Sequence, residues 1–328
     1  MKFLSSVALS ALALALPALA NADAADNYPS GPINVICTYS AGAPTDVNAR
    51  CAALAAQKPE YFGQPMVVVN KAGAGGMTGW NWVIDRASRD GLTMTVYNLP
   101  NFISQSLVKE TKYNIDNMEP LVNFVADPVV MMVKKDSPFQ SVADVVEFAK
   151  KNPGKTVLNG AGLYIGHHIA LLQLEKEAGI KLTYIPENGG SDAAQSIIAG
   201  KVMGGFGNMS VGLRFADNIK ILGICNVGRH EMCPDVPTFI ELGYKSMDNS
   251  TTNYRGLAFP AGVDKAIIEK AAKAAYAMCN DPLVIEKFKE TKTPYKILKR
   301  EEVLAIFKQR EALLKELLGG SLGLKLHR

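Results

Sequence analysis

The sequence has only five cysteines, Cys37, Cys51, Cys225, Cys233 and Cys279, an odd number whose spacing matches no metal motif. No metal centre is expected, and the fold does not rest on a disulfide framework. Cys37 and Cys51 read as small buried hydrophobes, while Cys225 and Cys233 are close enough in sequence to bridge a loop. Histidine is as sparse, at four residues. His167 and His168 are adjacent, hence about 100° apart on a helix and badly placed to share one metal. Neither a G-x-S-x-G elbow nor an H-E-x-x-H pair occurs. No basic run is interleaved with aromatics, and the net charge is only +4, which sets nucleic acid aside as a partner. Beyond the N-terminal segment no stretch approaches the ~18 apolar residues that suggest a membrane span.

The chain opens with a leader. Lys2 precedes Phe3–Leu16, an uncharged run rich in Ala, Leu and Val; Pro17 breaks it, and Ala18-Leu19-Ala20 forms a small-x-small cleavage site. This is the pattern of a secretory signal peptide over residues 1–20. No Cys follows the site, so a lipid anchor is not expected. Removing Lys2 with the leader leaves 34 basic against 31 acidic residues, and the mature chain is expected to be exported and soluble. About 300 mature residues suggest one large or two medium domains.

Ile33–Arg50 organises the rest. Ile33–Cys37 is a short β-branched run typical of a buried strand. Ser40–Thr45 has side chains so small that it reads as a tight loop. From Thr45 the period becomes helical, with Val47, Cys51, Leu54 and Ala55 on one stripe, Thr45 or Asp46 as the cap, and Pro44 just before it. A strand feeding through such a loop into a helix aims bare N–H groups and a positive dipole end at one space, which suits an anion. Asp46 in the first turn uses part of that potential, so a ligand carboxylate is expected on the amides of Ala41–Ala43. The same residues would also serve an ordinary βα turn.

Met66–Val69 is a second strand, and the glycine-dense Asn70–Gly79 runs into a helix bearing Trp80, Val83, Ile84 and Ala87. Leu92–Tyr97 is a third strand, followed by a polar loop, Asn98–Ser104. This is βαβαβ, half of a doubly wound sheet. Gly73-Ala74-Gly75-Gly76-Met77-Thr78-Gly79 places its last glycine too late for G-x-G-x-x-G, and no acidic residue follows to hold a ribose. No nucleotide cofactor is therefore expected. The pattern loosens between Asp116 and Pro128, then resumes with Val129–Val133 and a helix capped by Ser141. A second small-residue loop, Asn159–Gly166, leads from strand Thr156–Leu158 into a helix with His167. A third, Pro186–Asp192, follows strand Leu182–Ile185, and Gly207–Ser210 follows Val202–Phe206. Ile219–Cys225 and Gly256–Phe259 are further strands. The remainder reads as helical, with Lys287, Lys289, Lys292, Lys296 and Lys299 on a solvated face. The second half repeats the device of the first, so sheets facing across a cleft would aim several helix N-termini at one point.

Along nearly all its mature length the chain resembles the extracytoplasmic substrate-binding proteins of tripartite tricarboxylate transporters, the Bug-type receptors. The resemblance lies in Tyr28-Pro29-Ser30 with Pro32-Ile33, Ala41-Gly42 with Thr45-Asp46 and Arg50, and Gly63-Gln64-Pro65 with Val67-Val68. It continues in Asn70–Gly76 with Gly79, Asp90–Thr93, Asn152–Lys155, Gly160 with Gly162 and His168, and Pro186 with Ala194. It ends in Pro234–Thr238, Arg255-Gly256-Leu257 and Pro260-Ala261-Gly262.

The resemblance implies an α/β fold, a two-domain periplasmic binding protein type clamp with a mixed sheet flanked by helices in each domain. It implies residues 26–125 with 256–328 in domain 1 and 126–255 in domain 2. The ligand would be a small organic carboxylate held by loop amides, hydroxyls and waters rather than by a dedicated arginine. By position, the site takes Tyr39, Ser40, Ala41, Gly42, Ala43, Thr45, Asp46 and Asn98 from one domain. From the other it takes Asn159, Gly160, Gly162, His167, Asn188, Gly189, Asp192 and Asn208. A periplasmic monomer docking on membrane transporter subunits is implied, with no catalytic residues.

Three departures from the family pattern stand out. Gly42-Ala43 replaces a paired glycine, Cys37-Thr38-Tyr39 replaces Val-Pro-Phe, and Leu163-Tyr164-Ile165 is bulkier than usual, hinting at a less polar or differently shaped ligand. Two alternatives to a transport receptor stay open. One is a ligand sensor for a membrane regulator; the other is a secreted hydrolase using Asp46 or Asp192 with His167.

Overall fold

The computed structural model describes residues 26–327, so the leader read at 1–20 lies outside the described residues. Eleven strands among them form two sheets. The first lobe starts as β1 (Ile33–Cys37), α1 (Pro44–Ala53), β2 (Met66–Asn70), α2 (Met77–Arg86), β3 (Thr93–Leu99) and α3 (Asn101–Val108). β1 pairs in parallel with β2 on one side and β3 on the other. The chain then leaves through β4 (Met118–Asp127) and returns through β10 (Asn253–Pro260), which pairs antiparallel with both β3 and β4. Helices α8 (Lys265–Cys279), α9 (Pro282–Glu290) and α10 (Arg300–Lys315) and the edge strand β11 (Tyr295–Lys299) complete the lobe.

Successive strand side chains point to opposite faces, so this sheet carries two cores. Met94, Val96, Phe124, Leu257 and Phe259 pack with Ala49 of α1, Ala271 and Ala275 of α8 and Phe288 of α9. Tyr97 and Leu99 pack with Trp80 of α2, Phe102 and Leu107 of α3 and Phe307 of α10.

The second lobe runs β5 (Val129–Lys134), α4 (Val142–Lys151), β6 (Val157–Gly160), α5 (Gly166–Ala178), β7 (Thr183–Pro186), α6 (Gly190–Ile198), β8 (Gly204–Asn208), α7 (Met209–Arg214) and β9 (Ile219–Cys225). Its sheet order is β7-β6-β8-β5-β9, parallel around β6 and antiparallel around β5. Along β5 the alternation is strict: Val129, Met131 and Val133 face the core under α4 and α5, and Val130 and Met132 that under α6 and α7.

Several expectations are corrected. The segment read as loosened, Asp116–Pro128, contains the ten-residue β4; buried on both faces, such a strand does not alternate. Asn98 and Leu99 finish β3, and α3 starts at Asn101, where a polar loop was expected. Lys296 and Lys299 lie on β11, an edge strand that their charges keep from further pairing, not on a helix. Leu54 falls past the end of α1 and is 49% exposed. Cys225 and Cys233 are free thiols, the latter 3.4 Å from Met209 Sδ. Among the described residues no helix is long and apolar enough to cross a membrane.

Candidate functional site

The first βα turn is braced by Asp46. Pro44 opens α1, where its missing N–H costs nothing, so Ala43 is the N-cap rather than Thr45 or Asp46. Asp46 accepts the Gly42 N–H at 2.9 Å, Asn70 Nδ2 at 2.8 Å and Arg50 Nε at 3.0 Å. Burial alone would raise its carboxyl pKa, but these donors outweigh burial and hold it below the ordinary value. The Ala43 N–H donates to Ser40 O. The amides of Gly42 and Ala43 are thus engaged within the turn, contrary to the expectation that a ligand would meet them. Tyr39 is buried, its hydroxyl donating to Gly75 O at 2.8 Å and accepting from Asn101 Nδ2 at 2.7 Å.

The second lobe answers with His167 in the first turn of α5. Its Nδ1 accepts the Ala161 N–H at 3.2 Å, so the proton of the neutral ring sits on Nε2, which donates to Asn208 Oδ1 at 3.2 Å. Burial lowers the His167 pKa to about 4, leaving the ring neutral near pH 7. His168 is packed between the Tyr164 and Tyr184 rings and accepts the Tyr164 N–H.

Between the lobes lies a closed cavity lined by Tyr39, Ala43, Pro44, Thr45, Asn98, Asn101, Ala161, Ile165, His167, Gly190, Asn208, Asn253 and Arg255. Its volume, about 10 Å³, holds no more than a single water. Four helices of eight residues or more, α1, α3, α5 and α6, begin at its wall, and their N-caps Ala43, Pro100, Ile165 and Gly189 make no side-chain capping bond. Away from the cavity, Ser141, Asp264 and Asp281 cap α4, α8 and α9, while α2 and α10 begin without a side-chain cap. First-turn N–H groups that a helix leaves without a cap favour an anion. Asn98 Oδ1, Asn208 Nδ2 and Arg255 Nε are buried and unpartnered at the same cavity. The arrangement can bind an anion and hydrogen-bond its remainder.

Arg255 is 1% exposed and Asp127 0%. Arg255 Nη1 donates to Asp127 Oδ2 at 3.0 Å and to Asn48 Oδ1 of α1 at 3.1 Å; Asp127 also accepts the Ser210 hydroxyl of α7 at 2.6 Å. One buried ion pair therefore ties both crossing strands to a helix of each lobe. Across the cleft, Asn101 Oδ1 accepts the Gly166 N–H at 2.9 Å, Ser104 Oγ donates to Tyr164 O at 2.5 Å, and Ser191 Oγ donates to Gly42 O at 2.9 Å. A larger cavity of about 370 Å³ lies on the other face of the crossing strands, where Ala126, Pro128, Thr252 and Tyr254 point. None of α1, α5 and α6 begins there, so the smaller cavity is the candidate site.

Tyr39, Ala43, Thr45, Asn98, His167 and Asn208 line that cavity. Ser40, Ala41, Gly42 and Asp46 form the turn behind it, and Gly189 caps α6 beside it, its Cα bare towards Ala43. Asn159 is held under α6, its amide donating to Ala193 O, and Gly160 backs onto the His167 Cβ and the Tyr184 hydroxyl. Gly162 and Asn188 line a separate outer chamber, and Asp192 is exposed. Sequence reasoning missed Asn101, Asn253 and Arg255 as site residues. Arg255 carried a signal, a lone arginine in the motif Arg255-Gly256-Leu257 beside a strand, but was read for the resemblance only.

Two mixed α/β lobes closing on a cavity edged with helix N-termini make a solute-binding fold of the periplasmic binding protein type. Residues 49–301 match the model of the tripartite tricarboxylate transporter family receptor, and the chain belongs to that family. Protein BugT of Bordetella pertussis is 30% identical over 272 residues, 80% of this chain and 81% of that one. The solved structure of periplasmic binding protein BugD has a TM-score of 0.82 at 27% identity, covering 91% of this chain and 99% of its own. Two structures share the fold at lower identity. MatC from Rhodopseudomonas palustris with bound malate has a TM-score of 0.80 at 20% identity, over 89% of this chain and all of that one. An R. palustris protein with adipate has a TM-score of 0.82 at 19%, over 91% and 99%.

Proposed function

We propose that this receptor captures a small organic carboxylate between its lobes in the periplasm and delivers it, as a monomer, to membrane subunits of a tripartite transporter. The observation that carries this reading is the convergence of four uncapped helix N-termini and Arg255 on one cavity. The malate and adipate held by the two fold neighbours agree with it. The reading needs binding rather than turnover. Asp46, the acid first paired with His167 in a hydrolase reading, is held by Arg50, Asn70 and Gly42 instead.

The first lobe takes residues 26–127 with 253–327, since β4 and β10 both belong to its sheet, where 26–125 with 256–328 was expected; the second takes 128–252, and the lobes turn about the crossings at Asp127–Pro128 and Thr252–Asn253. A cavity of about 10 Å³ admits no carboxylate, so the bonds of Asn101, Ser104 and Ser191 across the cleft open to receive one. A ligand that touches both lobes favours the closed form by its differential affinity. Thermal-shift and calorimetric titration of the mature protein against a carboxylate panel, each acid paired with its uncharged amide, tests the reading. Stabilisation by an acid and not by its amide is expected; amides that bind as well as acids would overturn it.

A further inference from the structure

The central cavity is not the only chamber in the cleft. A second one, of about 340 Å³, opens at the seam beside it, with walls from both lobes. Met77 comes from the first lobe and Leu163, Tyr164 and Pro186 from the second, so the lining is mainly apolar. Leu163 is 44% exposed into solvent. Tyr164 is held in the left-handed region at φ 55°, an unusual conformation for an aromatic residue, by the bonds its N–H makes to His168 and its carbonyl accepts from Ser104. Lys109 and Glu187 both line the chamber, so its charges offset one another and select no particular sign.

The partition between the two chambers has Tyr39 and Ile165 on its inner side and Gly75 and Gly162 on its outer side. Gly75 O accepts the hydroxyl of Tyr39, which lines the central cavity, while Gly75 itself lines the outer chamber. A β-carbon on Gly75 would lie 3.3 Å from Ile165 Cγ2 of the central cavity, and one on Gly162 would lie 2.9 Å from Gly75 Cα. Two bare backbones from opposite lobes therefore meet at the partition. Any parting of the lobes opens a slot at that point.

We infer that the ligand is a carboxylate with an apolar body, alkyl or aryl, whose carboxylate sits in the central cavity while the body crosses the Gly75–Gly162 slot into the outer chamber. This rests on the carboxylate-receptor reading and names its ligand class. Each methylene buried in such a chamber strengthens binding about three- to fourfold.

The test is isothermal titration of the full mature protein with straight-chain monocarboxylates from acetate to octanoate, phenylacetate, and dicarboxylates from succinate to suberate. Affinity is expected to climb with length by at least tenfold between the shortest and longest members. Leu163→Asp is expected to abolish that climb while leaving the shortest binding members unchanged. Circular dichroism reports whether the variant is folded. Binding of short and long acids with equal affinity would overturn the inference and leave the receptor reading standing. No binding by any acid, in protein confirmed folded, would overturn both.

Discussion

The two turns that face each other across the cleft do the same job with opposite chemistry. Each pins a loop amide to a side chain in the first turn of the following helix: Gly42 N–H to the Asp46 carboxylate, and Ala161 N–H to the His167 imidazole. The first brace is charged and sustained by Arg50 and Asn70; the second is neutral and sustained by Asn208. The arrangement leaves a buried anionic brace on one wall and a neutral one on the other, so the positive end of α5 faces the cavity with no carboxylate in its first turn, whereas α6 carries the exposed Asp192 in its own. What α1 gives up in positive potential, α5 keeps.

The bluntest way to break the comparison is to remove what both walls lean on. Asp127→Ala strands buried Arg255, which holds α1 through Asn48, and frees Ser210 of α7. A loss of about 3–5 kcal/mol in urea unfolding is expected, with α1 and α7 losing hydrogen-exchange protection together; loss at one wall only would sink the idea of a shared support.

Acid separates the two braces. With the His167 pKa lowered to about 4 from an ordinary 6.5, the unfolded chain takes up a proton below pH 6.5 that the folded protein refuses until about pH 4. Stability is therefore full above pH 6.5 and falls by about 3 kcal/mol on the way to pH 4. His168, also lowered to about 4 by burial, adds with the same sign. Asp46, held below its ordinary value, contributes stability that persists through this window and fades only as pH drops below about 3.8. Urea titrations from pH 8 to pH 4 are expected to slope downward in the wild type and to flatten by one proton's worth in His167→Gln. A slope unchanged by that substitution would mean the ring is not held neutral.

Asp46→Ala leaves Gly42 N–H and Asn70 short of an acceptor, for an expected loss of about 1–3 kcal/mol near neutral pH and weaker ligand binding through a loosened turn. Calorimetry that finds affinity untouched would argue against the brace. Arg50, whose side chain is 51% exposed, matters least: Arg50→Gln is expected to shift the unfolding free energy by under about 1 kcal/mol, and less at high salt.

The strands whose one face is flanked by turns were plain in the sequence: Ile33–Cys37 and Ile219–Cys225 stand where their β-branched runs end. β4 was not, because Met118–Asp127 is buried on both faces and includes Pro120 and Asn123, which disguise it. The edge strand β11 was lost among lysines that a helix would carry equally well. At the site, small-residue loops before helices pointed to an anion, and six of the residues that the resemblance implied by position line the cavity. Arg255 was legible only as part of a motif, since its role comes from β10 meeting Asp127 of β4 at a sequence separation of 128. Asn101 was hidden for the same kind of reason: its two partners, the Tyr39 hydroxyl and the Gly166 N–H, belong to distant turns.

The position of β10 also fixes an order of assembly. It is inserted between β3 and β4, yet residues 128–252 must be made first. The first sheet cannot close as the chain grows. Until residues 253–260 arrive, β3 is an open edge whose Thr93–Leu99 backbone has no partner on that side, the kind of surface on which chains stick to one another. The second lobe, continuous in sequence, can fold while the first waits, and its folding brings the ends of β4 and β10 together, so that the last pairing closes no long flexible loop. A chain cut short before Asn253 would have a receptor's second lobe and half of its first, with the interior of the unfinished half exposed.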